Sequence, residues 1–184
     1  MTVQIDLPSN GLITQPDFQA LPTPGRGWAW ELRAGRLELT HMPVTGWHWL
    51  VVLAILEYWR DQGFEILGEQ YVADSGFIRG ESGKHNVVAD GVVFVEGHDP
   101  DPALSTRDAA DIHVIIEAVS ADSEERDASA KREIYAALGI PHYWIVRNEA
   151  GGDGREGIVT CLDLIDGEYE LAGHRLVSSL RTTR

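Results

Sequence analysis

Two acidic side chains interrupt stretches of the sequence that otherwise consist mainly of β-branched apolar residues. Asp90 lies within NVVADGVVFV, and Glu117 lies within HVIIEAV. Because side chains alternate along a strand, each acid shares its face with residues of the core type. In the first stretch, the predicted face of a single strand consists of Val88, Asp90, Val92 and Phe94.

A buried ionised carboxylate must find a cation, hydrogen-bond donors or a proton. Two such acids on neighbouring strands predict a Mg²⁺ site, because this ion takes oxygen ligands, usually one or two carboxylates, and keeps several waters. For Asp90 taken alone, the ordinary alternative is a solvent-exposed acid or a partner for an arginine. Glu117 fits that alternative poorly, since its neighbours Ile115, Ile116 and Val119 are apolar.

A lysine follows the second acid on the next helical segment. Lys131 continues the three-and-four spacing of Ile134, Tyr135 and Leu138, which predicts a helix face that packs on the sheet. The long stem of Lys131 can bury there and carry its ammonium group towards the carboxylates. The alternative is a surface pair with Asp127, one turn earlier, of about 0.3–0.5 kcal/mol. The spacing alone does not decide between these two interpretations.

The elements around these residues alternate between strand and helix patterns. Predicted strands are WAWEL and RLELTH around the turn Ala34–Gly35, FEILGEQYVA, GFIRG, NVVADGVVFVEG, Ile112–Val119, HYWIVRN and a C-terminal hairpin that turns at Asp166–Gly167. Predicted helices cover Gly46–Asp61 and residues 124–138. This order predicts one α/β domain with a mixed sheet.

Length, composition and charge limit the kinds of protein that this chain can be. The chain has 184 residues, of which 43% are hydrophobic, so one core is large enough without a disulfide or metal staple. The single cysteine, Cys161, suits a reducing cytosol, and MTVQIDLPSNG lacks the features of a signal peptide, so we expect a cytoplasmic protein without a membrane span. The net charge of −14 means that any contact with DNA needs a local positive patch or divalent cations.

Several other chemistries lack their motifs. The seven histidines and one cysteine show no HExxH or CxxC spacing for zinc, and no Gly-x-Ser-x-Gly elbow is present. The glycines and lysine of GEQYVADSGFIRGESGKH do not have the spacing of a phosphate-binding P-loop.

The motifs VVADGVVFV and IIEAVSADSEERDASAKREIYAALGIPHYWIV resemble the putative restriction endonuclease branch of the PD-(D/E)XK nuclease superfamily. WELRAGRLELTHMPVTGWH is similar to the first strands and the start of the first helix in that branch, so the resemblance extends over about residues 28 to 146. It implies a restriction endonuclease-like α/β core with a central mixed β-sheet flanked by helices. The proline and glycine content of the N-terminal part predicts an irregular lead-in over residues 1–27. We expect a single nuclease-like domain over residues 28–184 that ends in the β-hairpin.

The resemblance carries over to particular residues. Asp90 matches the Asp of the Pro-Asp motif, Glu117 matches the second acid, and Lys131 matches a lysine that this branch places on the following helix. Two positions depart from the pattern: Ala89 replaces the proline, and Val119 replaces the lysine that usually stands two residues after the second acid. The site is complete only if Lys131 takes over the role of that lysine.

The function implied by the resemblance is a DNA endonuclease that uses Mg²⁺ or Mn²⁺ held by Asp90 and Glu117. Glu31 is a further catalytic candidate, as an outer ligand of the metal or as a residue that positions the water. The alternative is that Glu31 is an ordinary acid on a strand, exposed to solvent. His48 and Asp127 are candidates for contacts that support the metal ligands. Paired cuts would call for a homodimer. The competing function is a catalytically inactive binding or assembly module, which Val119 and the acidic balance would fit.

Overall fold

The computed structural model describes residues 12–42, 45–119, 124–148 and 155–181, and only the backbone of residues 124–128. The helices are α1 (Gln15–Gln19), α2 (Gly46–Asp61), α3 (Ser75–Ile78), α4 (Glu124–Ala137) and α5 (Val177–Leu180). The strands are β1 (Trp28–Arg33), β2 (Arg36–His41), β3 (Ile66–Leu67), β4 (Gln70–Ala73), β5 (Asn86–Ala89), β6 (Gly91–Phe94), β7 (Thr106–Asp108), β8 (Ile112–Val119), β9 (His142–Arg147), β10 (Ile158–Ile165) and β11 (Glu168–Leu176). A 3₁₀ helix (Ala109–Asp111) joins β7 to β8.

The strands form two mixed sheets. The smaller sheet has the order β2-β1-β5-β4-β7, and the larger has the order β11-β10-β9-β8-β6-β3. Each contains one parallel pair, β4 with β7 and β8 with β9. The predicted α/β class with a mixed sheet flanked by helices is confirmed. Within the described residues, no helix is long and apolar enough to cross a membrane.

Two helices cover the opposite faces of the six-stranded sheet. Ile116 on β8 packs in the cluster that includes the apolar face of α2, whereas Ile115 packs in the cluster that includes Ile134 and Tyr135 of α4. Glu117 is two residues beyond Ile115 and therefore points towards α4. The alternation of side chains along β8 thus places Glu117 under α4, the helix that carries Lys131.

The predicted single strand around Asp90 is wrong. Residues 86–94 form β5, which pairs with β4 in the smaller sheet, and β6, which pairs with β8 in the larger sheet. Asp90 lies at the break, where the chain passes from one sheet to the other. The expected alternation of side chains therefore does not continue through Asp90.

Three further segments test the element predictions. GFIRG is not a strand: its first three residues belong to α3, which Asp74 caps by accepting a hydrogen bond from the backbone N–H of Phe77 at 3.0 Å. The lead-in predicted as irregular contains α1, which a capping box of Thr14 and Asp17 opens. The C-terminal hairpin is confirmed, with Asp166 and Gly167 at positive φ in its turn.

Candidate active site

Glu117 lies at the centre of a buried polar cluster between β8 and α4. The Nζ atom of Lys131 is 2.9 Å from both carboxylate oxygens, Oε1 and Oε2. The Tyr135 hydroxyl donates a hydrogen bond to Oε1 at 2.6 Å. Lys131 and Tyr135 are four residues apart, so one face of α4 presents both donors to the same carboxylate. All three side chains are buried.

Lys131 also reaches the smaller sheet. Its Nζ atom donates a hydrogen bond to the backbone carbonyl of Val88 on β5 at 2.8 Å. The backbone N–H of the same residue donates to Oε1 of Glu31 at 2.8 Å. Two side chains from distant parts of the chain therefore hold the backbone of Val88, two residues before Asp90.

Asp90 contacts the backbone of β8 at the residue that follows Glu117. Its Oδ2 atom accepts a hydrogen bond from the N–H of Ala118 at 2.8 Å. Its Oδ1 atom lies 3.2 Å from Nε2 of His48, which stands in the first turn of α2. Three elements thus converge at this corner: the break between β5 and β6, the end of β8, and the start of α2.

Burial dominates the electrostatics of the cluster. It raises the pKa of Glu117 to about 8, against the lowering effect of the Lys131 charge. Burial would also raise the pKa of Asp90, but the hydrogen bond with His48 and the charge of Lys131 hold it below its usual range. Burial lowers the pKa of His48, yet the hydrogen bond and charge of Asp90 bring it above the usual value.

These residues fit a hard divalent cation. Glu117 accepts three hydrogen bonds and Asp90 has two polar contacts within the described residues, whereas a carboxylate offers about four lone-pair positions. Oxygen positions therefore remain on both side chains, and an added positive charge would favour the ionised form of Glu117. No group of three or more His, Cys, Asp or Glu in the described ranges is arranged to hold a metal. A site with few protein ligands, completed by water, is the kind that Mg²⁺ uses.

Glu31 lies on β1 of the smaller sheet and contacts the same Val88 backbone as Lys131. It is fully buried, with 0% of its surface exposed, so the interpretation as an exposed strand acid is wrong. Its carboxylate accepts hydrogen bonds from the guanidinium of Arg33 at 2.5 and 3.0 Å, from the hydroxyl of Thr40 at 2.7 Å, and from the N–H of Val88. The structure therefore connects Glu31 to the cluster through the backbone of Val88.

The remaining predicted residues are placed as follows. Lys131 is only 5% exposed, so its interpretation as a surface partner of Asp127 is wrong. The side chain of Asp127 lies outside the described residues, and its supporting role remains a prediction. Val119 packs against the core cluster under α4, and the cation that reaches Glu117 comes from the helix.

Tyr135 and Arg33 contribute contacts that the sequence analysis did not assign. Tyr135 could have been found, because it lies one turn after Lys131 on the same predicted face. Arg33 could have been suspected as a partner of Glu31, since residues two apart on a strand point to the same side.

Replacement of Tyr135 by Phe tests the hydrogen bond to Glu117. We expect the free energy of unfolding to fall by about 1.5–3 kcal/mol, because the bond is buried and its acceptor is a carboxylate. Tyr169→Phe is a matched control: this buried hydroxyl donates to the neutral carbonyl of Ile140 at 2.8 Å, and its loss should cost only about 0.5–1.5 kcal/mol. Urea denaturation at about pH 9, above the raised pKa of Glu117, measures both variants, and an equal loss in the two would argue against an ionised Glu117.

Comparison with known proteins places the chain in a family. The model of the Uma2 family, described as "Putative restriction endonuclease", matches residues 15–181. The solved structure of a "putative nuclease belonging to DUF820" from Anabaena variabilis superposes with a TM-score of 0.61. That match has 15% sequence identity and covers 91% of this chain and 97% of the other, so it shows a shared fold. A search of curated proteins found no match. The resemblance noted in the sequence is thus confirmed, and the chain belongs to the Uma2 family.

Proposed function

We propose that this protein is a metal-dependent DNA endonuclease that hydrolyses phosphodiester bonds. The observation that carries the proposal is the buried corner where Asp90 and Glu117 lie together and Lys131 contacts Glu117. The description of the Uma2 family and the description of the Anabaena variabilis protein as a putative nuclease support the same reaction class.

Asp90 and Glu117 would hold one or two Mg²⁺ or Mn²⁺ ions. When bound, such an ion lowers the pKa of a coordinated water and offsets the negative charge of the phosphate. The chain itself keeps the two carboxylates in place: Ala118 and His48 fix Asp90, while Tyr135 and Lys131 fix Glu117.

Lys131 supplies the positive charge of the chain at this site. In the proposed reaction its ammonium stabilises the negative charge that develops on the phosphate. The carbonyl of Val88 holds the ammonium from the other side, so that it is already oriented before DNA binds. Glu31 has a positioning role in this scheme, because its hydrogen bond to the N–H of Val88 holds the peptide backbone against which Lys131 rests.

The acidic balance of the chain makes a local positive charge necessary. A net charge of −14 repels a polyanion over most of the surface. Lys131 and the divalent cation would neutralise the phosphate at the point of cleavage. We therefore expect weak binding of long duplexes and a strict requirement for the divalent ion.

Incubation with supercoiled plasmid tests the proposal. The protein should convert the plasmid to nicked or linear forms with Mn²⁺ or Mg²⁺ and should leave it intact with EDTA. Short single-stranded, duplex and branched DNA molecules in parallel reactions identify the preferred substrate. Failure to cleave any of these, together with no binding of Mn²⁺ by calorimetry, would favour the inactive binding or assembly module instead.

A further inference from the structure

Two large apolar side chains are exposed beside the corner that holds Asp90. Trp49 has 52% of its surface exposed and Leu50 has 40%, and they follow His48 at the start of α2. Trp47 differs from them, because it packs against the core cluster that includes α2 and donates its indole N–H to a backbone carbonyl at 2.8 Å. The core clusters of the described residues contain neither Trp49 nor Leu50, so packing within the fold does not account for this pair.

The helix and the sheets both place Trp49 near Asp90. Along the helix, Trp49 follows His48, whose Nε2 atom is 3.2 Å from Oδ1 of Asp90. In the sheets, the pairs β3–β6 and β4–β5 keep one antiparallel register on both sides of the break, and this register puts Glu69 opposite Asp90. A β-carbon on Gly68, the residue before Glu69, would lie 3.9 Å from the Trp49 ring. The exposed indole is therefore at the rim of the candidate active site.

The charge at this rim suits a neutral ligand group better than a phosphate. Glu69 is exposed and follows the glycine that contacts Trp49, so a negative charge stands beside the ring. An acid repels phosphate oxygens, whereas it leaves an uncharged base free to lie against the indole. Leu50 extends the apolar surface next to the ring. In the proposed reaction the phosphate itself is held by the divalent ion and Lys131, so the rim is left for a base that flanks it.

An acidic nuclease also needs affinity that does not come from phosphate charge. The net charge of −14 gives the chain little electrostatic attraction for DNA. Stacking of a base on an aromatic side chain supplies such affinity for any sequence, because every base has a π-face. In an intact duplex both faces of a base are covered by its neighbours, so a ring that approaches from outside stacks only on an unpaired base.

We propose that Trp49 stacks on an unpaired base beside the phosphodiester bond that is cleaved, and that it selects DNA with unpaired nucleotides at that point. This inference rests on the proposed function, and it names the substrate class: a bubble, a flap or a single strand in preference to an intact duplex. Trp49 is then a specificity-determining residue, separate from the carboxylates that hold the metal.

Cleavage of two matched oligonucleotides with Mn²⁺ tests this proposal. One is a blunt duplex, and the other is the same duplex with a short central bubble. We expect wild-type kcat/KM to be about tenfold or more higher on the bubble, and Trp49→Ala to remove most of that preference while changing cleavage of the duplex by less than about twofold. Trp49→Phe, which keeps an aromatic ring, should retain most of the preference.

Trp28→Ala is the matched control. Trp28 is an exposed tryptophan on β1, with 45% of its surface accessible, and it points to the face of that strand opposite to Glu31. Its replacement removes the same type of side chain at a similar exposure. Cleavage of the bubble and of the duplex should both stay at the wild-type rate.

Three results would overturn the proposal. They are equal cleavage of bubble and duplex by the wild-type protein, an unchanged preference in a Trp49→Ala variant that thermal melting shows to be folded, and a change in sedimentation of that variant without a change in DNA preference. The last result would assign the exposed pair to contact between copies of the chain.

Anisotropy with the same labelled oligonucleotides in EDTA separates this proposal from the nuclease. Tighter binding of the bubble that is lost in Trp49→Ala, together with no cleavage of any DNA, would refute hydrolysis and leave the stacking contact. Plasmid nicking without a preference for the bubble would refute stacking alone. Absence of both cleavage and binding would refute both.

Discussion

Replacement of Glu117 by Gln is expected to lower the rate of plasmid nicking by about a thousandfold, which corresponds to about 4 kcal/mol of transition-state stabilisation. The substitution removes the negative charge with which Glu117 would hold a divalent cation, while the side chain keeps its shape. The remaining Oε1 atom of Gln can still accept a hydrogen bond from Lys131 or Tyr135, so we expect the variant to stay folded. Initial nicking rates with Mn²⁺ measure the effect.

The matched control for this experiment is Glu81→Gln, which removes one negative charge from an exposed side chain near α3. It should nick plasmid at the wild-type rate. Equal activity of wild type and Glu117→Gln, after purification by the same route, would show that the hydrolysis does not use this site.

Replacement of Lys131 by Met is expected to lower the free energy of unfolding by about 3–5 kcal/mol. Among the described residues of α4, the substitution leaves the buried Glu117 with Tyr135 as its one hydrogen-bond donor, and it removes a donor to the carbonyl of Val88. An uncompensated carboxylate in an apolar environment is costly, even when it takes up a proton. Urea denaturation in EDTA gives the value without interference from a bound ion.

A double variant separates the ion pair from simple loss of packing. Glu117→Gln combined with Lys131→Met replaces both charges, and we expect it to be more stable than Lys131→Met alone, with a coupling free energy of about 1–3 kcal/mol. Additive losses in the two single variants would mean that Glu117 and Lys131 do not interact in the folded protein.

The sequence was sufficient to predict how α4 meets the sheet. The three-and-four spacing from Lys131 to Leu138 depends only on local periodicity, and the structure has Lys131, Ile134 and Tyr135 buried against β8. The partner of the lysine was left open between Glu117 and Asp127, because the spacing suits both, and the structure shows the contact with Glu117.

The break at Asp90 could not be predicted in the same way. β-branched residues stand on both sides of it, and their strand preference is the same whichever sheet they join. The one local sign is Gly91: a β-carbon there would come within 3.3 Å of both Val52 and Leu56 of α2. That contact depends on tertiary packing, which the alternation of apolar residues does not contain.

The contacts of Glu31 could not be predicted from the sequence, for a different reason. Its contact with Val88 joins residues 57 positions apart, and no pattern within β1 indicates which distant backbone group an acid will bind. An acid on a short strand is ordinarily assigned to solvent, and here the neighbouring Arg33 neutralises it inside the protein.

The two hydrogen bonds to the Val88 backbone have a consequence for how the proposed activity would arise during folding. Their side chains, Glu31 and Lys131, lie 57 positions before and 43 positions after Val88, so the contacts span a hundred residues of chain. Contacts between such distant segments form slowly, because the loop that joins them must first be closed. We therefore expect hydrolytic competence to be among the last properties to emerge during refolding, after most helical signal has recovered. If the proposed function holds, a newly made chain would not cleave DNA until α4 has docked on the sheet.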